Sequence, residues 1–595
     1  MERNEPAYRR SEGRDAIRTR SRAAAARRSR AREALQARLL GARLSLTAAV
    51  CGLALLGALI GIAAQPGSAR AATVTAALVK DINPAGSGAP VSLIASAGTL
   101  FFVADGDFAG GELWKSDGTA AGTVMVKDIY PHVDDDYAYR PDWLTDVSGT
   151  LFFSADDSTH GRELWKSDGT EGGTVMVKDL NPDGSSGPGS LTDVGGTLFF
   201  SARDSTHGRE LWKSDGTEGG TMMVKDFDPD PESGPQWLAD VDGTLFFILG
   251  ETELWTSDGT AAGTVMVKDI SPGSESASVG GSLTDVGGTL FFAADDGTHG
   301  RELWTSDGTA AGTVMVKDIN PDGFGVSWLI NVGNTLFFSG TDGTHGLELW
   351  KSDGTEAGTV MVKDIDPSSS GIGPGSLTAL DGMLFFSADD GTHGREPWTS
   401  DGTAAGTMMV KDIHPGSASA LSVDAGGTLF FGAADGIHGL EPWTSDGTEA
   451  GTTMVKNIDP CGSSYPYAFT DVDGTLFFGA DDGTHGHELW RTSPMSLPSG
   501  RDQSCTTLQV RKRVHRLIAR GRVSPNHSDE RVIVTLQKKR NGTFVKIARK
   551  RPTLGARSRY RAFFERPAAG RCRIVARFPG DEDHRPSSAR RNFRC

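Results

Sequence analysis

Residues 282–321 read SLTDVGGTLFFAADDGTHGRELWTSDGTAAGTVMVKDINP, and close copies of this stretch recur through most of the 595-residue chain. The tryptophan of its Glu-Leu/Pro-Trp step falls at Trp114, Trp165, Trp212, Trp255, Trp304, Trp350, Trp398, Trp443 and Trp490. From Trp114 to Trp490 there are eight steps with a mean period of 47 residues, which fits a four-stranded propeller blade rather than a helical repeat. Within the copies no stretch carries the 3.6-residue apolar period of an amphipathic helix. The 77 glycines instead punctuate short apolar runs, the pattern of many strands joined by tight turns.

Each copy divides at its turn signals into four expected strands. Strand A is Ser-Leu-Thr-Asp-Val, ended by Gly-Gly or Asp-Gly. Strand B is Thr-Leu-Phe-Phe-Ser-Ala, ended by Asp-Asp-Gly-Thr-His-Gly. Strand C is Glu-Leu-Trp-Lys/Thr-Ser, ended by Asp-Gly-Thr. Strand D is Val-Met-Val-Lys-Asp-Ile, ended one residue later by proline. Gly-Gly and Asp-Gly supply the positive φ that hairpin turns require. The array opens on a lone strand D (Leu78–Ile82) and finishes at Trp490 on A, B and C without a D. Together these complete one unit, so the prediction is an all-β propeller of about nine four-stranded blades, closed by an N-terminal strand that hides the free edges.

The same residues carry a family resemblance. Residues 348–359, ELWKSDGTEAGT, resemble the bacterial repeat family named for its ELWxxDGT motif, and the likeness covers roughly residues 78–492. Eight copies keep Ser-Asp-Gly-Thr, whereas Trp490 is followed by Arg-Thr-Ser-Pro. The resemblance implies an exported, propeller-like protein and brings no catalytic set. The tail alternates apolar and polar residues at 531–537, 544–548 and 573–578. With FPGDEDHRPS at 578–587 it resembles the immunoglobulin-like (Ig-like) stalk domains of secreted actinobacterial proteins, a C-terminal β-sandwich.

Charge separates these parts. Residues 1–70 carry 14 Arg against 5 acidic residues. Residues 71–500 carry 20 Lys and Arg against 64 Asp and Glu, and residues 501–595 carry 26 against 7. The net values, +9, −44 and +19, sum to the chain's −16 and mark modules with separate electrostatic roles. The expected boundaries are a basic region and signal at 1–72, the repeat propeller at 73–492, a Ser/Pro/Gly linker at 493–504 and the basic sandwich at 505–595. An Arg-rich stretch (Arg3 to Arg43), an apolar run from Leu44 to Ala64 and Ala69-Arg70-Ala71 read as an export signal. The 21-residue run is also long enough to stay as an N-terminal membrane anchor. The protein is therefore expected to be secreted or at the cell surface.

Export leaves Cys461, Cys505, Cys572 and Cys595, an even number in an oxidising compartment. Three pairings exist. The favoured one joins Cys572 to Cys595 within the tail and Cys461 to Cys505 between the last repeat and the linker.

Each candidate site has a plain structural reading beside the functional one. A histidine recurs beside carboxylates at His160, His207, His299, His345, His393, His438 and His485, but one per blade cannot converge on a zinc ion whose ligands lie about 2 Å away. Turn formation is the better reading. Calcium is a weaker option, with Asp389, Asp390 and Glu396 as hard oxygen ligands within one loop; no other cofactor is implied. Strand A begins with Ser92, Trp143, Ser190, Trp237, Ser282, Trp328, Ser376, Ala420 and Ala468 in successive copies. Trp143, Trp237 and Trp328 alternate with serine and could stack on sugar rings or simply fill gaps under variable loops. The D–A loop at 132–142 departs most from consensus and brings Asp134, Asp135, Asp136, Tyr137 and Tyr139. Loops on a rigid scaffold are where function concentrates.

These residues point to a non-enzymatic extracellular binding or adhesion protein whose partner is a glycan, a wall polymer or another protein. A propeller-type glycan hydrolase or lyase and a structural surface component are the alternatives. Nearly every carboxylate recurs from copy to copy, so no isolated acid/base pair stands out. The acidic body repels nucleic acid, and the basic tail, with eight Lys or Arg from Arg531 to Arg551, lacks a nucleic-acid motif.

Overall fold

The run Thr-Leu-Phe-Phe in strand B is apolar on consecutive residues, which a strand tolerates only when both faces of its sheet are covered. The computed structural model shows that arrangement. It describes residues 74–594 apart from 107–109, 132–138, 228–233, 251–252, 273–282, 322, 324, 369–372, 415–419, 425–426, 495–504, 507, 513–515, 525–530, 541–542, 555–557, 569–570 and 580–586. Among the described residues there is no α-helix, and residues 74–494 form nine four-stranded antiparallel sheets. Sheet 1 consists of strands A Val91–Ser96, B Thr99–Asp105, C Gly111–Ser116 and D Val124–Lys127. Sheets 2 to 9 follow in chain order with strands A beginning at Asp142, Gly189, Gln236, Thr284, Val326, Gly375, Ala420 and Tyr467.

Sheet 9 takes its fourth strand from the other end of the chain. Val74–Lys80 pairs antiparallel with His487–Pro494, with Leu78 opposite Trp490. The expected Leu78–Ile82 strand thus starts four residues earlier and ends at Lys80. Strand A of each sheet touches strand A of the next, and strand A of sheet 9 touches that of sheet 1, so the order is cyclic. Nine apolar clusters lie between successive sheets; an open row of nine sheets has only eight such interfaces. The closing cluster joins Val79, Ile82, Phe477 and Leu489 to Leu100, Phe102 and Trp114. Each interface buries several large side chains fully, at about 1.5–3 kcal/mol apiece.

Two polar devices repeat around the array. A strand-D lysine lies 4.9–5.9 Å from the centroid of the next sheet's strand-C tryptophan, as Lys80 over Trp114 and Lys456 over Trp490. Its Nζ donates to a main-chain carbonyl of that sheet: Lys80 to Thr123 O at 2.7 Å, and Lys456 to Ala76 O on the closing strand at 2.9 Å. In every sheet but sheet 4, where Glu253 is half-buried, the strand-C glutamate is buried and accepts from backbone N–H groups at the start of the D–A loop. Glu112 takes Ile129 N at 2.9 Å; Glu488 takes Ile82 N and Gly88 N, each at 2.8 Å, which ties chain positions 400 residues apart.

The A–B turns match their sequence signal. In sheet 3, Val194 pairs with Thr197 across Gly195 and Gly196, whose φ values are +58° and +86°. The C–D connection differs from expectation. In place of a short Asp-Gly hairpin, Asp117–Thr123 forms a seven-residue loop between Ser116 and Val124, held by the aspartate itself. Asp117 Oδ1 accepts from Thr119 N at 2.8 Å and Thr119 Oγ1 at 2.7 Å. A Cβ on Gly122 would stand 2.1 Å from Asp117 Oδ1, so only glycine fits there.

The described tail residues form two further four-stranded sheets, one of Cys505–Thr506, Gln509–Lys512, Arg516–Ser524 and Arg559–Glu565, the other of Ile533–Arg540, Thr543–Lys550, Arg571–Phe578 and Ser587–Arg594. They share one apolar core that includes Leu517, Val534, Tyr560 and Ile574. Outward positions carry the basic residues, as in Arg571-Cys572-Arg573-Ile574, where the cysteine and isoleucine are buried.

Candidate functional site

The start of strand A holds the feature that organises the site. Ser92, Trp143, Ser190, Trp237, Trp328, Ser376 and Ala468 all have φ between +52° and +57°, a left-handed conformation that costs a bulky residue energy. Each sits where the A–B register slips, for example between Asp142 and Thr145 and between Gly189 and Thr192. These are β-bulges, which re-aim a side chain and tend to occur at functional rims. Neither Trp, Ser nor Ala signals a positive φ, so the bulge was illegible in the sequence. Ser282 lies outside the described residues.

The bulge leaves three large aromatics in solvent. Trp143, Trp237 and Trp328 are 49%, 51% and 66% exposed. Trp143 lies in the wall of a cavity of about 760 Å³ formed where strands A of sheets 1 to 4 begin, and its indole rests against Gly189 of the next sheet. Trp237 and Trp328 hold equivalent register positions, but neither lines this cavity, so the three tryptophans do not make one site.

Arginines complete the wall. Arg162 and Arg209 stand at the start of strand C in sheets 2 and 3, and Arg140 comes from the D–A loop after sheet 1. Arg140 Nη2 is 2.7 Å from Asp105 Oδ1, and its side chain fills the space that Gly111 leaves open. Arg162 donates to Ser154 O at 3.2 Å and to Arg140 O at 2.7 Å. Arg209 donates through Nη1 to Gly187 O at 2.9 Å, Ser201 O at 3.3 Å and Ser201 Oγ at 3.5 Å. Burial holds the pKa of both Arg162 and Arg209 below the usual guanidinium value; for Arg162 the neighbouring Asp142 and Asp156 oppose it. Sequence reasoning passed over these arginines. The signal was present in the strand-C column, where Gly111, Arg162, Arg209, Arg301, Leu347, Arg395 and His487 differ from sheet to sheet.

The remaining candidates have other places. Asp134, Asp135, Asp136 and Tyr137 lie outside the described residues. Tyr139 stacks on Tyr130, with centroids 4.4 Å apart and planes 6° apart, and is not in the cavity wall. The calcium set does not assemble. Asp389 Oδ1 accepts from Gly391 N, and Asp390 accepts from Thr392 N and His393 N and pairs with His393 Nδ1 at 2.8 Å. Glu396 is fully buried and turned to Ile413 N and His414 N. Asp389 and Asp390 are committed to the loop 391–393, whereas Glu396 is turned away to the backbone at Ile413 and His414. Among the described residues no group of three His, Cys, Asp or Glu converges in a metal-holding geometry.

The recurring histidines lock their own turns. Asp157 Oδ1 takes Thr159 N and His160 N while Oδ2 meets His160 Nδ1 at 2.8 Å. The carboxylate raises the pKa of His160, as it does for His207, His299, His345, His393 and His485. The strand-C glutamates shift the opposite way from ordinary surface acids. Burial lifts Glu112, Glu210, Glu302, Glu348, Glu396 and Glu488 to about 7 and Glu441 to about 8.

No family model matches the chain, and no curated protein matches it. Among solved structures, the apo AtxE2 isopeptidase aligns at 12% identity and a TM-score of 0.21, covering 61% of this chain and 58% of its own. A putative exo-β-1,3-galactanase from Bifidobacterium bifidum s17 aligns at 12% and 0.20, covering 41% and 95%. A mutant of the Aleuria aurantia lectin in complex with α-methyl-L-fucoside aligns at 12% and 0.20, covering 48% and 98%. The chain therefore spans less than two thirds of the isopeptidase, and likenesses this low decide nothing about activity. Among the described residues no helix is long and apolar enough to cross a membrane; the apolar run at 44–64 lies outside them.

Proposed function

We propose that this chain is a non-enzymatic extracellular or cell-surface binding protein that recognises a glycan at the 760 Å³ cavity. On this reading it is an ELWxxDGT-repeat protein whose nine sheets are the blades of a propeller and whose tail is an Ig-like spacer. The observation that carries it is Trp143, a half-exposed indole in the wall of a cavity built where the repeats differ. A flat aromatic face beside hydrogen-bonding groups suits a sugar, which has an apolar ring face and a hydroxyl rim. The volume falls within the roughly 300–1,000 Å³ of small-molecule sites. Export also fits the cysteines. Cys572 stands opposite Phe593, two residues before Cys595, which supports the pairing Cys572–Cys595 and leaves Cys461 to pair with Cys505.

The test is a glycan-array screen of the mature protein beside Trp143→Ala, Trp237→Ala and Trp328→Ala variants. The expected outcome is that Trp143→Ala alone abolishes the strongest signals. Unchanged binding by Trp143→Ala, or no glycan bound by the parent protein, refutes the reading.

A further inference from the structure

Arg209 differs from the other two cavity arginines in how its charge is balanced. Arg140 is paired with Asp105, and Arg162 stands in the field of Asp142 and Asp156. The acceptors of Arg209 are all neutral, two carbonyls and a hydroxyl, and no described carboxylate lies within ion-pair range. The charge that acts on it is Arg203, of like sign. A cation withdrawn from water without a counter-charge is costly. Among the described residues Arg209 thus stands at the cavity wall with only neutral acceptors.

The side chain is also held in place. A Cβ on Gly234 would stand 2.2 Å from Arg209 Cγ, and one on Gly187 would stand 3.2 Å from Nη2. The stem of the side chain therefore occupies space that only glycine at 234 leaves open, and its tip passes close to Gly187. Its rotamer freedom is already spent, so an anion captured there need not order it. The planar fork matches a carboxylate through two parallel N–H···O bonds.

We propose that the cavity selects acidic saccharides, with a uronate carboxylate on Arg209 and the sugar ring against Trp143. The inference rests on the glycan reading above and narrows its ligand class. The surrounding body, at −44 over residues 71–500, repels acidic polymers elsewhere on its surface, so a uronate is retained only where fixed cations converge. The strand-C column carries arginine again at Arg301 and Arg395, one sheet after Trp237 and Trp328, but of these residues only Trp143 and Arg209 line this cavity.

Calorimetric titration of the mature protein with trisaccharides of galacturonate, glucuronate and mannuronate, each beside its methyl ester, tests the inference. At least one free acid is expected to bind roughly 10-fold or more tighter than its ester, the discrimination that one charge-assisted fork supplies. Arg209→Gln should collapse that ratio to near one, Arg209→Lys should keep part of it, and Trp143→Ala should weaken acid and ester alike. Acetate alone should bind at least about 100-fold more weakly than the acid trisaccharide, since it lacks the ring contact. Equal binding of acid and ester to the parent protein overturns the acidic ligand while leaving the glycan reading intact if Trp143→Ala still weakens both. An unchanged ratio in a folded Arg209→Gln variant overturns the assignment to Arg209, and failure of every acid to bind overturns the inference outright. If Arg209→Gln does not fold, as judged by its melt, the acid-to-ester ratio of the parent and of Trp143→Ala decides.

Discussion

Ring closure through the N-terminal strand makes a quantitative demand on Ile82. Its side chain is 4% exposed and packs with Leu100, Phe102 and Trp114 of sheet 1 and with Phe477 and Leu489 of sheet 9. Ile129 occupies the equivalent place one sheet later, also 4% exposed, with its N–H on Glu112 as that of Ile82 is on Glu488. Truncating a buried isoleucine to alanine costs about 2–5 kcal/mol, the spread reflecting how far the cavity collapses. Ile82→Ala and Ile129→Ala should therefore lower stability alike, by a large share of the roughly 5–15 kcal/mol that a folded domain has to lose. Urea melts of the protein, followed by tryptophan fluorescence, measure both. A chain whose first strand hangs free would tolerate Ile82→Ala while still failing at Ile129→Ala. That split, with the Ile82→Ala midpoint unchanged, would refute closure.

Two further outcomes follow from the repeated polar devices. The melting temperature should peak near about pH 5 and fall toward about pH 8: glutamates lifted from 4.5 to about 7 lose their stabilising contribution as pH rises across that interval. The turn histidines act with the same sign, since a raised pKa contributes stability below 6.5 that is lost as pH passes the folded value. The lowered turn aspartates oppose this only at acid pH, where protonation removes their contribution; calorimetry showing a higher melting point at about pH 8 than at about pH 5 would reject the assignment. The adjacent pair Gly172 and Gly173 should separate cleanly. A Cβ on Gly172 meets nothing within 4 Å, whereas one on Gly173 stands 2.1 Å from Asp168 Oδ1. Gly172→Ala should be neutral or stabilise by up to about 1 kcal/mol. Gly173→Ala should cost about 1–3 kcal/mol by driving the carboxylate off Thr170; equal melts for the two would sink the reading.

Much of the scaffold was legible because its signals are local. Gly195-Gly196 states a hairpin turn within two residues, and a lone strand D at one end with a lone A–B–C set at the other states that the array can close. The C–D loop departs from the hairpin that Asp117-Gly118 spells locally. The decisive contact is between Asp117 and the space left by Gly122, which no dipeptide rule contains. Glu396 was placed in a calcium loop by proximity along the chain, while its carboxylate is in fact consumed by backbone 17 and 18 residues further on.

The site divides in the same way. Alternation of Trp143, Ser190, Trp237 and Trp328 was visible as spelling, and these residues share one position of the repeat, with φ between +52° and +57°. That the column is a left-handed bulge, that Trp143 lines the 760 Å³ cavity while Trp237 and Trp328 do not, and that Arg140, Arg162 and Arg209 from separate copies meet there were decided only by packing. Turn preference and strand pattern depend on neighbours a few residues apart and are written in the order of the chain. The cavity depends on which side chains of successive sheets converge where their A strands begin, tens of residues apart in the chain, and on how charge is balanced there once water is excluded.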